Sequence, residues 1–261
     1  MTVRGLAWRL CYELLAARVR KTEWSFMNYG YAPLPDDEPH PALEPGDEAD
    51  RLCIQLYHHV ASAVDVAGKR VLEVGSGRGG GASYVSRYLG AESVTGVDFS
   101  RQAVSLASRD RRGPGLTFVH GDAQALPFAD ASFDVVVNVE SSHCYPSMGA
   151  FLAEAHRVLL PGGHLVWADL RDQAGARTVR EEFHATGFEA VVERDITAQV
   201  LEALRLDNGR KLGLIQAWIP RPVHGLFRQF AGVEGTRNYD GFRSGSLVYL
   251  SAALRRPKGS V

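Results

Sequence analysis

The chain has 261 residues, of which 45% are hydrophobic, and its 29 basic and 30 acidic side chains leave a formal net charge of -1. This composition is typical of globular proteins and excludes collagen-like, disulfide-scaffold and disordered chains. Because no strong basic excess is present, nucleic acid is not an expected partner. Cys11, Cys53 and Cys144 have no paired spacing, so neither a metal site nor a redox dithiol is predicted, and a reducing cytoplasm is the expected location.

The first 47 residues are predicted to form a helical lid followed by a connector. Residues 6–17 are apolar but carry Arg9 and Glu13, which predicts an amphipathic helix rather than a signal peptide or a membrane-spanning segment. Such a helix can pack on its own protein or make a peripheral contact with a membrane surface, and we expect the packed lid. Five prolines between residues 33 and 45 then predict an exposed connector.

Helices and strands alternate from residue 48 to residue 170. Apolar residues at every fourth position predict a first helix from about residue 48 to residue 64. Further helices are expected at about 80–89, 100–109 and 148–159, and strands at 70–74, 93–97, 117–119, 133–137 and 164–168. This alternation predicts an α/β fold with a doubly wound, mostly parallel sheet and right-handed crossovers.

The pattern changes after residue 170. Two more strands, at 188–192 and 246–253, complete a seven-stranded sheet and enclose a helical insert rich in aromatic residues at 199–239. We therefore expect one sheet domain in three parts rather than two independent domains. These parts are the N-terminal lid and connector (1–47), the ligand-binding core (48–170) and the rest of the sheet with a helical cap over the substrate (171–261).

The first predicted strand runs into a glycine-rich turn, Gly75-Ser76-Gly77, that opens a helix. Glycines allow a tight turn and the close approach of a ligand to the main chain, and the helix behind the turn supplies unpaired N–H donors. Asp98 ends the next strand, where a carboxylate can accept hydrogen bonds from ribose hydroxyls. Capping of the following helix is the structural alternative for Asp98. The two motifs indicate a nucleotide-like ligand and leave its class open between dinucleotides and S-adenosylmethionine.

A third motif, Gly121-Asp122-Ala123, follows the third strand, and Leu160-Pro161-Gly162-Gly163 precedes the fifth. With these motifs in order, residues 68–170 resemble the seven-stranded S-adenosylmethionine-dependent methyltransferases, although Glu73 stands where many of them have Asp. The resemblance implies S-adenosylmethionine as the cofactor. Phe99 and Asp122 stand where they can stack on its adenine and bind the adenine amino group, and Tyr29 either closes over the cofactor as a lid or simply packs against the protein. The expected cofactor-binding residues are Glu73, Gly75, Ser76, Gly77, Asp98, Phe99, Asp122, Ala123, Asn138 and Tyr29.

Four more segments, at 79–84, 138–146, 168–171 and 232–236, are similar to the actinobacterial phthiotriolone and phenolphthiotriolone dimycocerosate methyltransferases. That family O-methylates a hydroxyl of a long, lipid-like polyketide. The resemblance therefore implies a hydrophobic, hydroxylated small molecule as the substrate. Two alternatives stay open. The chain is an N- or C-methyltransferase of a natural product, or it is a cofactor-binding protein of this fold without transfer activity. The oligomeric state stays open, with a homodimer among the possibilities.

An alcohol is a weak nucleophile until its proton leaves, so a nearby general base accelerates O-methylation by about 10²–10⁴-fold. His143 follows the fourth strand and Asp169 ends the fifth. If these strands are neighbours, both side chains lie at the same edge of the sheet, where a carboxylate can fix the tautomer of an imidazole. We predict His143 as the general base and Asp169 as its partner, while a pocket-lining His143 and a salt-linked Asp169 are the structural alternative.

Overall fold

Apolar runs such as Val135–Val137 and Leu165–Val166 predict strands that are covered on both faces, and in the computed structural model they are central strands of one sheet. The structure describes residues 25–35 and 40–258. Their seven strands are β1 (Arg70–Val74), β2 (Ser93–Asp98), β3 (Leu116–His120), β4 (Phe133–Val139), β5 (Leu159–Asp172), β6 (Glu189–Asp195) and β7 (Leu247–Arg255).

The order of the strands across the sheet is β3-β2-β1-β4-β5-β7-β6. Every neighbouring pair is parallel except those that involve β7, which runs antiparallel to both β5 and β6. The predicted seven-stranded, mostly parallel sheet is confirmed. The expected adjacency of the fourth and fifth strands is confirmed as well, because Val139 of β4 pairs with Ala168 of β5.

Helices cover both faces of the sheet. On one face, Leu56, Val85 and Leu204 pack with Val71 in one apolar cluster, while Phe151 and Phe183 lie in a second cluster on the other face. The helices are α1 (Arg51–Ala61), α2 (Gly80–Tyr88), α3 (Arg101–Asp110), α4 (Met148–Val158), α5 (Gln173–Ala185), α6 (Thr197–Trp218), α7 (His224–Ala231) and α8 (Arg237–Ser244). Within the described ranges, no helix combines the length and apolar character that crossing a bilayer requires.

Some predicted boundaries are wrong. The first helix ends at Ala61, so Val64 lies beyond it. The fifth strand extends from Leu159 to Asp172 rather than over 164–168, because β7 pairs with it as far as Asp172. The insert consists of α6, α7 and α8 and continues past residue 239 to Ser244. The helix predicted at residues 6–17 lies outside the described residues.

Candidate active site

The carboxyl ends of β1, β2, β4 and β5 meet at one edge of the sheet, and the segments that follow them carry most of the predicted site residues. Since β1 lies between β2 and β4, chain connections leave it in opposite directions, and ligands of open α/β sheets bind at such a point.

The glycine turn after β1 has a backbone that requires glycine. Gly75 and Gly77 have φ angles of 78° and 54°, in the left-handed region that other residues seldom adopt. A Cβ atom at Gly75 would also collide with the hydroxyl of Ser141. The glycine turn therefore has a fixed backbone conformation and is closely packed at the carboxyl edge of the sheet.

Asp98 holds this turn in place. Its Oδ2 accepts the N–H of Gly77 at 2.8 Å, and its Oδ1 accepts the N–H of Ser100 at 2.8 Å. The cap of α3 is instead Ser100, whose Oγ accepts the N–H of Ala103 at 3.2 Å. The capping alternative for Asp98 is therefore wrong, and its structural role is to fix the glycine turn. A ribose contact stays a prediction.

Three buried polar atoms around the turn have no hydrogen-bond partner within the described part of the chain: Glu73 Oε2, Ser76 Oγ and Asn138 Oδ1. The other oxygen of Glu73 accepts the hydroxyl of Tyr57 at 2.6 Å, and Asn138 Nδ2 donates to Val74 O at 2.8 Å. Leaving such atoms unpaired costs about 1–3 kcal/mol each. A ligand with ammonium and hydroxyl donors, such as S-adenosylmethionine, fits this set of atoms.

Burial governs the charge of Glu73. Burial raises its pKa from 4.5 to about 8, although hydrogen bonds from Tyr57 and from the N–H of Ala82 favour the ionised form. The nearby charge of Asp98 raises the pKa of Glu73 further. At neutral pH the carboxyl group of Glu73 is therefore mostly protonated in the free protein.

The residues predicted to bind adenine lie after β2 and β3. The ring of Phe99 is 48% exposed, and its centroid lies 6.2 Å from that of His120. Asp122 Oδ1 accepts the N–H of Gln124 at 2.9 Å, while Ala123 is buried. The adenine contacts of Phe99 and Asp122 stay predictions.

His143 and Asp169 are in direct contact. His143 Nδ1 lies 2.7 Å from Asp169 Oδ1, and the backbone N–H of His143 donates to Asp169 Oδ2 at 2.8 Å. Oδ2 also accepts the hydroxyl of Ser142 at 2.6 Å and forms an ion pair with Arg171 at 3.1 Å. Asp169 is fully buried, whereas the side chain of His143 is 35% exposed. The imidazole is thus anchored at one nitrogen and faces outward with the rest of its ring.

The two groups stabilise each other's charge. Burial opposes ionisation of Asp169, but the charges of His143 and Arg171 outweigh it and hold the pKa of that carboxyl well below its usual range. Burial likewise disfavours the imidazolium, yet the negative charge of Asp169 and its hydrogen bond to the ring raise the pKa of His143 well above 6.5. Both shifts favour an imidazolium beside a carboxylate, and His143 becomes a base only above its raised pKa.

Tyr29 is hydrogen-bonded to Glu140, the residue that follows β4. It is 5% exposed, its hydroxyl accepts a hydrogen bond from Asn238 at 2.7 Å, and its ring meets that of Phe242 edge-on at 5.8 Å. Its backbone N–H donates to Glu140 Oε2 at 2.8 Å. Glu140 also accepts a hydrogen bond from the hydroxyl of Tyr249. It was not among the predicted site residues, although it lies three residues before His143. An acidic residue directly after a buried strand is the signal that could have identified it.

Known proteins that are similar to this chain are methyltransferases. Residues 72–167 match the family described as Methyltransferase domain. The chain is 42% identical over 243 residues to the phthiotriol/phenolphthiotriol dimycocerosates methyltransferase of Mycobacterium tuberculosis, covering 93% of this chain and 89% of that protein. It is 35% identical over 254 residues to a fatty-acid O-methyltransferase of Mycolicibacterium smegmatis, covering 96% and 90% of the two chains.

A solved structure shows the same fold. The geranyl diphosphate C-methyltransferase from Streptomyces coelicolor has a TM-score of 0.68 and 18% identity, with 94% of this chain and 98% of that chain covered. At this identity the similarity concerns the fold alone.

Proposed function

This chain belongs to the S-adenosylmethionine-dependent methyltransferases, in the family of the phthiotriol/phenolphthiotriol dimycocerosates methyltransferases, and we propose that it methylates a hydroxyl of a hydrophobic, lipid-like small molecule. The names of the two relatives described above refer to lipid-like acceptors. The cap also contains a separate apolar cluster, formed by Ile215 and Ile219 with Trp218 and Phe227 packed against it.

The observation that carries the proposal is the contact between His143 Nδ1 and Asp169 Oδ1. If Asp169 accepts a hydrogen bond from a protonated Nδ1, the neutral imidazole has its free lone pair on Nε2. That nitrogen can then act as the general base. His143 then takes the proton of the acceptor hydroxyl, and Asp169 stabilises the imidazolium that results.

The cofactor is assigned to the glycine turn and its surroundings. When bound, S-adenosylmethionine supplies an electrophilic methyl group on a sulfonium. We assign Glu73 Oε2, Ser76 and Asn138 to its polar groups, since these side chains have buried atoms without partners. Asp98 is assigned to the ribose, and Phe99 and Asp122 to the adenine. The buried β1 and β4 around these atoms keep water away from the site.

The pair of His143 and Asp169 favours an alcohol over a carboxylic acid as the acceptor. A fatty acid is already ionised at neutral pH, so its methylation needs no general base. An alcohol retains its proton and does need one. The two classes of acceptor can therefore be distinguished by their dependence on His143.

The test is transfer of an isotope-labelled methyl group from S-adenosylmethionine to a long-chain secondary alcohol, a phenolic lipid and a long-chain fatty acid. We expect activity on a hydroxylated lipid and a loss of about 10²–10⁴-fold in His143→Ala. His184→Ala, which removes an exposed histidine of α5, is the control and should keep wild-type activity. Full activity of His143→Ala on the alcohol, or transfer to the fatty acid alone, would overturn the proposal.

A further inference from the structure

Glu140 has an unusual backbone for its residue type. Its φ angle is 49°, in the left-handed region, and among the described non-glycine residues it shares a positive φ with Ala131. Its N–H donates to Ala168 O at 2.8 Å, which ties this strained residue to β5. Strained positions of this kind persist where the surrounding structure holds them, and they concentrate at functional sites.

The carboxyl group of Glu140 joins two distant parts of the chain. Its Oε2 accepts both the N–H of Tyr29 at 2.8 Å and the hydroxyl of Tyr249 at 2.9 Å. Tyr29 precedes Glu140 by 111 residues and Tyr249 follows it by 109. Burial raises the pKa of Glu140 to about 7, while the N–H of Tyr29 and the charge of His143 favour its ionised form.

Tyr29 belongs to a segment that we call the strap, residues 25–33, which runs across the helical layer. Two of its other backbone N–H groups donate to α1 and α6: the N–H of Tyr31 donates to Leu52 O at 2.9 Å, and that of Ala32 to Gln199 O at 3.1 Å. The bond to Glu140 instead ties the strap to the end of β4, next to the proposed general base.

We propose that Glu140 is a positioning residue of the transfer site, which holds the strap against the carboxyl end of β4 so that the strap covers the site beside His143. This inference rests on the proposed function. Without the Glu140 carboxyl group, the backbone N–H of Tyr29 loses its acceptor, and the strap detaches from the end of β4 more often. The hydrogen bond between His143 and Asp169 does not involve Glu140. Binding is therefore affected more than the chemical step.

The first measurement is hydrogen exchange of the strap in the free protein, followed by mass spectrometry. Glu140→Ala removes the acceptor, and we expect the Tyr29 amide to exchange about tenfold faster or more. Glu140→Gln retains an acceptor oxygen of the same reach and should recover most of the protection. Glu140→Asp keeps the charge but is one methylene shorter, so it should resemble Glu140→Ala. Glu92→Ala, at an exposed position, is the control.

The second measurement is binding and turnover with the same variants. We expect the Kd for S-adenosylhomocysteine and the KM for the acceptor to rise about tenfold in Glu140→Ala and Glu140→Asp, with kcat within about threefold of wild type. The proposal is overturned if the Tyr29 amide exchanges at the wild-type rate in Glu140→Ala. It is also overturned if exchange is faster but Kd and KM are unchanged, or if only kcat falls. Exchange and S-adenosylhomocysteine binding need no acceptor, so they test Glu140 even if the proposed acceptor class is wrong.

Discussion

Glu73→Gln should change how the stability of the free protein depends on pH. Glu73 is 1% exposed, and its pKa is raised from 4.5 to about 8. The folded protein therefore holds this proton more tightly than the unfolded chain does. The stabilisation is fully present below pH 4.5 and is lost as the pH rises through 8. Glutamine has nearly the same shape, can still accept the hydroxyl of Tyr57, and does not ionise.

The size of the effect follows from the raised pKa. Between pH 6 and pH 8 the wild type should lose about 1.4 kcal/mol of unfolding free energy per pH unit through Glu73, and little more above pH 8. From pH 6 to pH 9 the difference between Glu73→Gln and wild type should thus move by about 3 kcal/mol in favour of the variant. Glu140 titrates near pH 7 in both proteins, so its contribution cancels from this difference.

Urea denaturation at pH 6, 7, 8 and 9 measures these free energies directly. Glu92→Gln, which changes an exposed carboxyl group, is the matched control and should differ from wild type by the same amount at every pH. The reasoning is refuted if the difference between Glu73→Gln and wild type stays constant within about 1 kcal/mol over this range. Glu73 would then be ionised in the folded protein in spite of its burial.

Three further predictions concern the site. The kcat/KM of the wild type should rise with pH to a plateau whose midpoint lies above 6.5, because the raised pKa of His143 keeps it protonated at lower pH; a flat profile would contradict this. Asp169→Asn should move that midpoint to lower pH and reduce the plateau about 10²–10⁴-fold, as the profile of the variant will reveal. Gly75→Ala should abolish calorimetric binding of S-adenosylhomocysteine through its collision with Ser141, whereas Gly113→Ala, in open space, should bind normally.

Much of the fold was predictable because its signals are local. The apolar runs of β1 and β4 and the glycine turn are visible in consecutive residues. The neighbouring positions of His143 and Asp169 followed from the strand order that the resemblance to the methyltransferases implies, and the sheet confirms that order. The length of β5 was not predictable, since residues as far as Asp172 join the strand only by pairing with β7, which comes much later in the chain.

The role of Glu140 was hidden for a similar reason: its partners Tyr29 and Tyr249 lie more than a hundred residues away on either side.

The charges of the buried carboxyl groups could not be predicted from the sequence either, because they depend on partners that only the folded chain supplies. Asp169 stays ionised because the cations of His143 and Arg171 face it, whereas Glu73 meets the neutral hydroxyl of Tyr57 and retains its proton near neutral pH.

Two carboxyl groups near one edge of a single sheet therefore have different charge states, one ionised and one mostly protonated. The difference is caused by the partners that the tertiary structure supplies. An ionised Asp169 can bind the Nδ1 of an imidazole and stabilise the imidazolium by its negative charge. A protonated carboxyl group lacks that charge and would bind the imidazolium weakly. A mostly neutral Glu73 avoids a second buried negative charge near Asp98, which already fixes the glycine turn. The residue types at this edge follow from the sequence, but the division of charge among them depends on contacts formed only in the folded chain.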